Sequence, residues 1–244
     1  MSWIRHLIPL LAFPPSPTSI SSSRVDDPPL KGAQGLLAPS HKVVRFLGCV
    51  AAVPVLASPL PAPIAPGIPS SNTARTLLNG LEIAEPGSSD GYSRKEFPHW
   101  GPVSGTCNTR EFVLKRDGVD VRTDRACRSV SGSWTSLYDG VTVTEARDID
   151  IDHMVPLHNA WISGASSWTL EKRTAFANDI TGPQLWAVST VNREKSDSSP
   201  DKWAPPLTDF HCTYAKSWDQ VKSYHKLAVT DAEMGALSNM LDSC

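Results

Sequence analysis

The sequence predicts a mixed α+β fold, on three observations. The stretch Asp148–Trp161, "DIDIDHMVPLHNAW", opens with strict alternation of Asp and Ile, the pattern of a strand with one acidic and one apolar face. Further on, "PQLWAVS" reads as a short apolar strand. The C-terminal "HCTYAKSWDQVKSYHKLA" and "TDAEMGALSNML" read as helices, and Thr230 with Glu233 makes a capping box at the start of the second.

The N-terminal part reads differently. Many of the 21 prolines crowd the first 70 residues, in runs such as "FPPSPTSISSS" and "SPLPAPIAPGIPS" that cannot bury enough apolar surface to fold. Two apolar runs, "HLIPLLAF" and "VVRFLGCVAAVPVLA", are too short for a standard membrane-spanning helix. The second has a basic lead and ends on "VLA" (Val55 to Ala57), which suits signal-peptide cleavage. Residues 1–57 are therefore expected to be a signal peptide or N-terminal extension, 58–72 a Pro-rich linker, and 73–244 the folded domain. Secretion follows, with no stable membrane association afterwards.

Cysteine usage agrees with export. Of five cysteines, Cys49 falls in the leader, and Cys107, Cys127, Cys212 and Cys244 remain, an even number. The pairs Cys107–Cys127 and Cys212–Cys244 are favoured because each encloses a local segment. A zinc site would need close pairs such as C-x-x-C, which the chain lacks.

Within the domain, "ARTLLNGLEIA" predicts a short helix and "AEPGSSDGYSR" a loop. "REFVLKRDGVDVRT" predicts a hairpin turning at Asp117-Gly118, and a second turn is expected at Asp139-Gly140. "HNAWISGASSWTLEKRTAFAND" reads as helical, and "TVNREKSDSSP" as a short helix stopping before Pro200.

Charge gives no general nucleic-acid signature. The chain carries 23 Lys+Arg against 25 Asp+Glu, a net −2. A general nucleic-acid binder is usually basic, so any phosphate contact must be local. Three Asp on one strand face repel each other, a cost that a metal ion would remove.

The pieces "DIDHMVPLHNAW", "WTLEKRTAFANDITGPQLWAVSTVNREKSDSSPDKWAPP", "GYSRKEFPHW" and "CNTREFVLKRDG" together resemble the secreted HNH endonucleases. These are ββα-metal (His-Me finger) nucleases related to the C-terminal domain of GmrSD-type restriction enzymes. The resemblance runs from Leu78 to Cys244. It implies an HNH core with added strands and helices, stabilised by disulfides. It implies His153 as general base, Asp152 and Asn192 as metal ligands, and Gln184 as the middle residue that orients the base. Gln184 departs from the usual Asn, and Ser196 from the usual Gly.

The chemistry suits these residue types. A neutral imidazole can take a proton from water. Hard carboxylate and amide oxygens favour Mg²⁺ or Mn²⁺, with Zn²⁺ as the alternative. Arg193, Lys195 and Arg147 are candidates for neighbouring phosphates, with Arg110 a weaker one. Asp150 and Asp197 are expected to support the first ring of ligands. The bland readings are packing for His158, His99 and Trp100, core or lid anchoring for Trp161, Trp168, Trp186 and Trp203, and a solvated face for Glu194.

The expected substrate is DNA, with RNA as the alternative, cut by a monomer with little sequence preference. Nothing resembles a helix-turn-helix or zinc finger. The rivals are an inactive HNH-fold binding or effector protein, and a phosphodiesterase for small substrates. A zinc peptidase lacks the H-E-x-x-H spacing.

Overall fold

The structure, a computed structural model, describes residues 64–244; the expected signal peptide or extension, residues 1–57 with Cys49, and residues 58–63 lie outside the described residues. Ordered structure starts ahead of Thr73. Ala65 is buried, and the Ser70 hydroxyl caps helix α1 (Ser71–Asn79) by accepting from the Thr73 N–H. The last part of the segment expected to be linker is therefore packed chain. α1 buries Ala74 and Leu78.

A 3-10 turn, Arg94–Glu96, precedes a small antiparallel pair, β1 (Pro102–Ser104) and β2 (Cys107–Asn108). Helix α2 (Thr109–Asp117) follows, and it corrects the expected hairpin. The Asn108 side chain accepts from the Glu111 N–H at 2.9 Å, an N-cap that commits "TREFVLKRD" to a helix. Glu111 in its first turn and Lys115 and Arg116 in its last complement the helix dipole. Gly118 ends the helix. It is needed there because a Cβ would run into Val121 and Trp134.

The hairpin lies one element later, between β3 (Val119–Thr123) and β4 (Ser129–Thr135). β5 (Thr142–Val143) joins β4 across a turn that contains Asp139-Gly140, as expected, with Gly140 at φ 75°. A disulfide joins Cys107 to Cys127 beside this sheet.

Strands β6 (Asp150–His153) and β7 (Leu185–Val188) pair antiparallel, with Asp152 opposite Trp186 and His153 opposite Leu185. Between them run α3 (Leu157–Ile162) and α4 (Leu170–Ala177), the latter capped by Thr169. After β7 come α5 (Asn192–Lys195), α6 (His211–His225) and α7 (Asp231–Leu241), the last with the expected Thr230–Glu233 capping box. The second disulfide, Cys212–Cys244, ties α6 to the C-terminus. Among the described residues no helix is long and apolar enough to cross a membrane.

The β6–β7 pair separates two hydrophobic clusters. Ile149, Ile151, Leu185 and Ala187 pack with Val113, Leu114 and Trp134. Trp186 and Val188 belong to the larger cluster with Tyr138, Phe210, Tyr214 and Trp218. Cross-strand partners share a face, so Asp150 and Asp152 lie on the second side. On that face Asp152 is only 4% exposed, while Asp150 is partly exposed and meets Arg193. Asp148 is not on it at all. It ends the 3-10 turn Ala146–Asp148, in the open.

Asp219 on α6 is fully enclosed, and neither carboxylate oxygen has a hydrogen-bond partner among the described residues. Burial pushes its carboxyl up to about 8. In the unfolded chain an Asp titrates near ~4. Between these values the folded chain holds a proton that the unfolded chain has lost, so this group lowers stability as pH rises from about 4 to about 8. We expect Asp219→Asn to be more stable than wild type at about pH 8 and to lose that advantage towards about pH 5. Urea midpoints at the two pH values check this; an unchanging difference would mean that Asp219 reaches solvent or a partner.

Candidate functional site

Where β6 ends and α5 begins, a cavity of about 370 Å³ opens, lined by Asp152, His153, Asn192, Arg193, Asp197 and Arg94, with Pro156 at its wall. Five of these were candidates from the sequence. Arg94 was not.

His153 is the last residue of β6 and only 5% exposed. Its Nε2–H donates to the Ala177 carbonyl at the end of α4, at 3.0 Å. That bond fixes the tautomer and leaves the Nδ1 lone pair without a partner among the described residues, on a ring that lines the cavity. Burial holds the imidazole down to about 3, well below the usual histidine range, so the ring is neutral at ordinary pH. His99 and Trp100 pack around it, with ring centroids 6.3 and 5.9 Å away. Trp100 stands at φ 62°, an uncommon backbone conformation for a large residue.

Asp152 is held from two sides. Tyr138 donates its hydroxyl to Oδ2 at 2.5 Å, and Lys195 donates Nζ to Oδ1 at 3.0 Å. The same Nζ reaches the His153 carbonyl at 2.8 Å and lies 6.0 Å from the Trp218 ring centre. Lys195 is completely buried. Burial pushes the Asp152 carboxyl up and the Lys195 ammonium down, while each charge pulls the other back towards ionisation. Lys195 is thus no free phosphate contact; it anchors α5 to β6. "NREK" looks like a solvated helix, but its single turn points Lys195 inward.

Gln184 also has a different partner from the one expected. Its amide takes the Val155 N–H at 3.1 Å and donates to the Val155 carbonyl at 2.9 Å. It clamps the chain just after His153 and makes no bond to the imidazole. Arg147 is exposed, 4.0 Å from Asp148, and does not line the cavity. Arg110 is spent on the Ala146 and Ile149 carbonyls. Arg193 lines the cavity and donates to Asp150 at 3.4 Å. His158 bonds Ser89 and packs on Tyr92, a structural role. Trp161 and Trp186 are buried, and Trp168 and Trp203 pack against the same core.

Ser196 follows α5 at φ 48°, a conformation that glycine takes without strain, and it turns the chain so that Asp197 returns to the cavity. Asn192 and Asp197 both face the cavity and make no side-chain hydrogen bond among the described residues. With the Asp152 carboxylate, which has lone pairs to spare beyond its two protein donors, they form a hard oxygen set. No group of three or more His, Cys, Asp or Glu among the described residues could hold a metal by itself. The set therefore fits a hard cation that takes an amide oxygen and completes its shell with water and substrate.

Tyr138, which holds Asp152, carried no sequence signal beyond its place in the "SLYDG" turn. Arg94 lay inside the quoted "GYSRKEFPHW", so its motif was visible although its role was not.

Residues 111–240, more than half of the chain, match the family described as GmrSD restriction endonucleases, C-terminal domain. The chain is also 55% identical over 200 residues to a protein of Arthroderma benhamiae described as an uncharacterized secreted protein, across 82% of this chain and 98% of that one. No solved structure matches the chain.

Lys195→Met should leave Asp152 buried without its cation and cost about 3–5 kcal/mol of stability, read as a lowered urea midpoint. Adding Asp152→Asn should recover part of that loss. A Lys195→Met protein within about 0.5 kcal/mol of wild type would show that the pair is not sealed from water.

Proposed function

Because the chain belongs to the family of GmrSD restriction endonuclease C-terminal domains, we propose that it is a secreted, metal-dependent endonuclease. It hydrolyses phosphodiester bonds of DNA, with RNA as the alternative substrate, and has little sequence preference. β6, β7 and α5 form its ββα-metal core. The secreted relative and the two disulfides support export.

The observation that carries the reading is the placement of His153. Its ring, bonded through Nε2 to the Ala177 carbonyl, lines a cavity that also holds Asp152, Asn192 and Arg193, and its Nδ1 has no hydrogen-bond partner among the described residues. Nδ1 takes the proton from the attacking water. The low proton affinity of the ring rises when a phosphate anion sits beside it, since an opposite charge favours the imidazolium. Arg193 binds a phosphate oxygen and exchanges its Asp150 contact for the substrate. Tyr138 and Lys195 keep Asp152 in place, and Gln184 keeps the chain after His153 in register. Asp152 and Asn192, with Asp197 at the rim, would hold Mg²⁺ or Mn²⁺ before Zn²⁺; when bound, the ion neutralises charge growing on the leaving oxygen.

Plasmid nicking by the secreted chain tests this with Mg²⁺, Mn²⁺, Zn²⁺ and EDTA. Metal-dependent nicking is expected, and His153→Ala should lower it by about 10²-fold or more. A folded, metal-binding wild type that nicks neither DNA nor RNA would overturn the nuclease and favour the binding-protein rival.

A further inference from the structure

Resting on the nuclease reading, the geometry points to Arg94 as the residue that holds the phosphate next to the scissile one. It makes the site one for a polynucleotide rather than for a single phosphodiester.

Arg94 opens the 3-10 turn Arg94–Glu96 and is the one residue, among those described, common to two adjoining spaces. One is the cavity that holds His153 and Asp152. The other is an open groove of about 370 Å³ along Lys95, Phe97, Pro98 and His99. A strand whose scissile phosphate sits at His153 passes Arg94 as it leaves the cavity for this groove, and then meets Lys95. Neither Arg94 nor Lys95 makes an ion pair among the described residues. The other cations differ: Arg193 already bonds Asp150, and Lys195 is sealed on Asp152.

The guanidinium is also oriented. His99 donates Nδ1–H to the Phe97 carbonyl at 2.8 Å, which leaves its Nε2 as an acceptor. Arg94 donates Nε–H to that Nε2 at 3.4 Å. Its two terminal nitrogens make no hydrogen bond among the described residues, and they form a fork that matches a phosphate. Arg94 is thus a substrate-binding residue, and His99 is a positioning residue that acts through it.

The test uses the secreted chain with a fluorescein-labelled DNA oligonucleotide. Binding is measured in EDTA across a salt series, and cleavage with the active metal. Arg94→Ala should lower the slope of log affinity against log salt by about one. It should raise KM about tenfold while kcat moves less than about threefold. Its loss of kcat/KM should be at least about tenfold larger on the oligonucleotide than on bis(p-nitrophenyl) phosphate. His99→Ala should share part of the slope change and add nothing in the Arg94→Ala background, whereas a merely structural His99 would cost the same in both. An unchanged slope, or equal losses on both substrates, overturns the assignment. A wild type that binds the oligonucleotide but cuts neither substrate sinks the nuclease reading, and the salt slope still decides Arg94. A wild type that does not bind overturns both.

Discussion

The buried contact between Lys195 and Asp152 is what the rest of the site depends on. A lysine and an aspartate are costly to take out of water, and they stay ionised only with close, well-directed partners. Here the ammonium meets both Asp152 and the His153 carbonyl, and Tyr138 completes the carboxylate. One charge therefore joins the end of β6 to α5. Asn192 and Arg193 share that four-residue helix, so the same contact sets how they face the cavity. A single helical turn has little stability of its own, and α5 takes its position from this anchor and from the Trp218 ring behind it.

The β6–β7 pair does the complementary job. Its two faces are buried against different clusters, so a register slip of one residue would send Ile151 to the wrong side and Asp152 into the α2 cluster. α2 reinforces the register directly: Asp117 accepts from the Ala187 N–H, and Arg116 donates to the Leu185 carbonyl. His153 is thereby delivered to the end of α4 with little freedom to shift.

The parts of the fold legible in the sequence were those with a strong local signature. The alternating Asp and Ile marked β6, and the capping box marked α7. Asp152, His153, Asn192 and Asp197 were readable as a group because they sit at both ends of a short β–β–α path. The Asp117-Gly118 pair misled because the same dipeptide that closes hairpins can also end a helix. Asn108, three residues before Glu111, was the competing signal, and packing on β7 decided between them. Lys195 and Gln184 kept their positions but changed their partners. Whether a polar side chain on a short helix turns inward depends on a tyrosine and a tryptophan that are remote in sequence, and no periodicity reports that.

Gln184 shows what its position asks for. Its amide gives one hydrogen to the Val155 carbonyl and takes one from the Val155 N–H. That is the double exchange one residue makes with its opposite number across an antiparallel ladder. The side chain thus works as a spare peptide unit and adds a rung where the backbone has already parted. The demand is for a carboxamide of suitable reach rather than for one residue type. A carboxylate of the same length could only accept, and would leave the Val155 carbonyl unmatched in a dry place. In those terms the longer side chain is a change of span between two chains, with the bonding pattern kept.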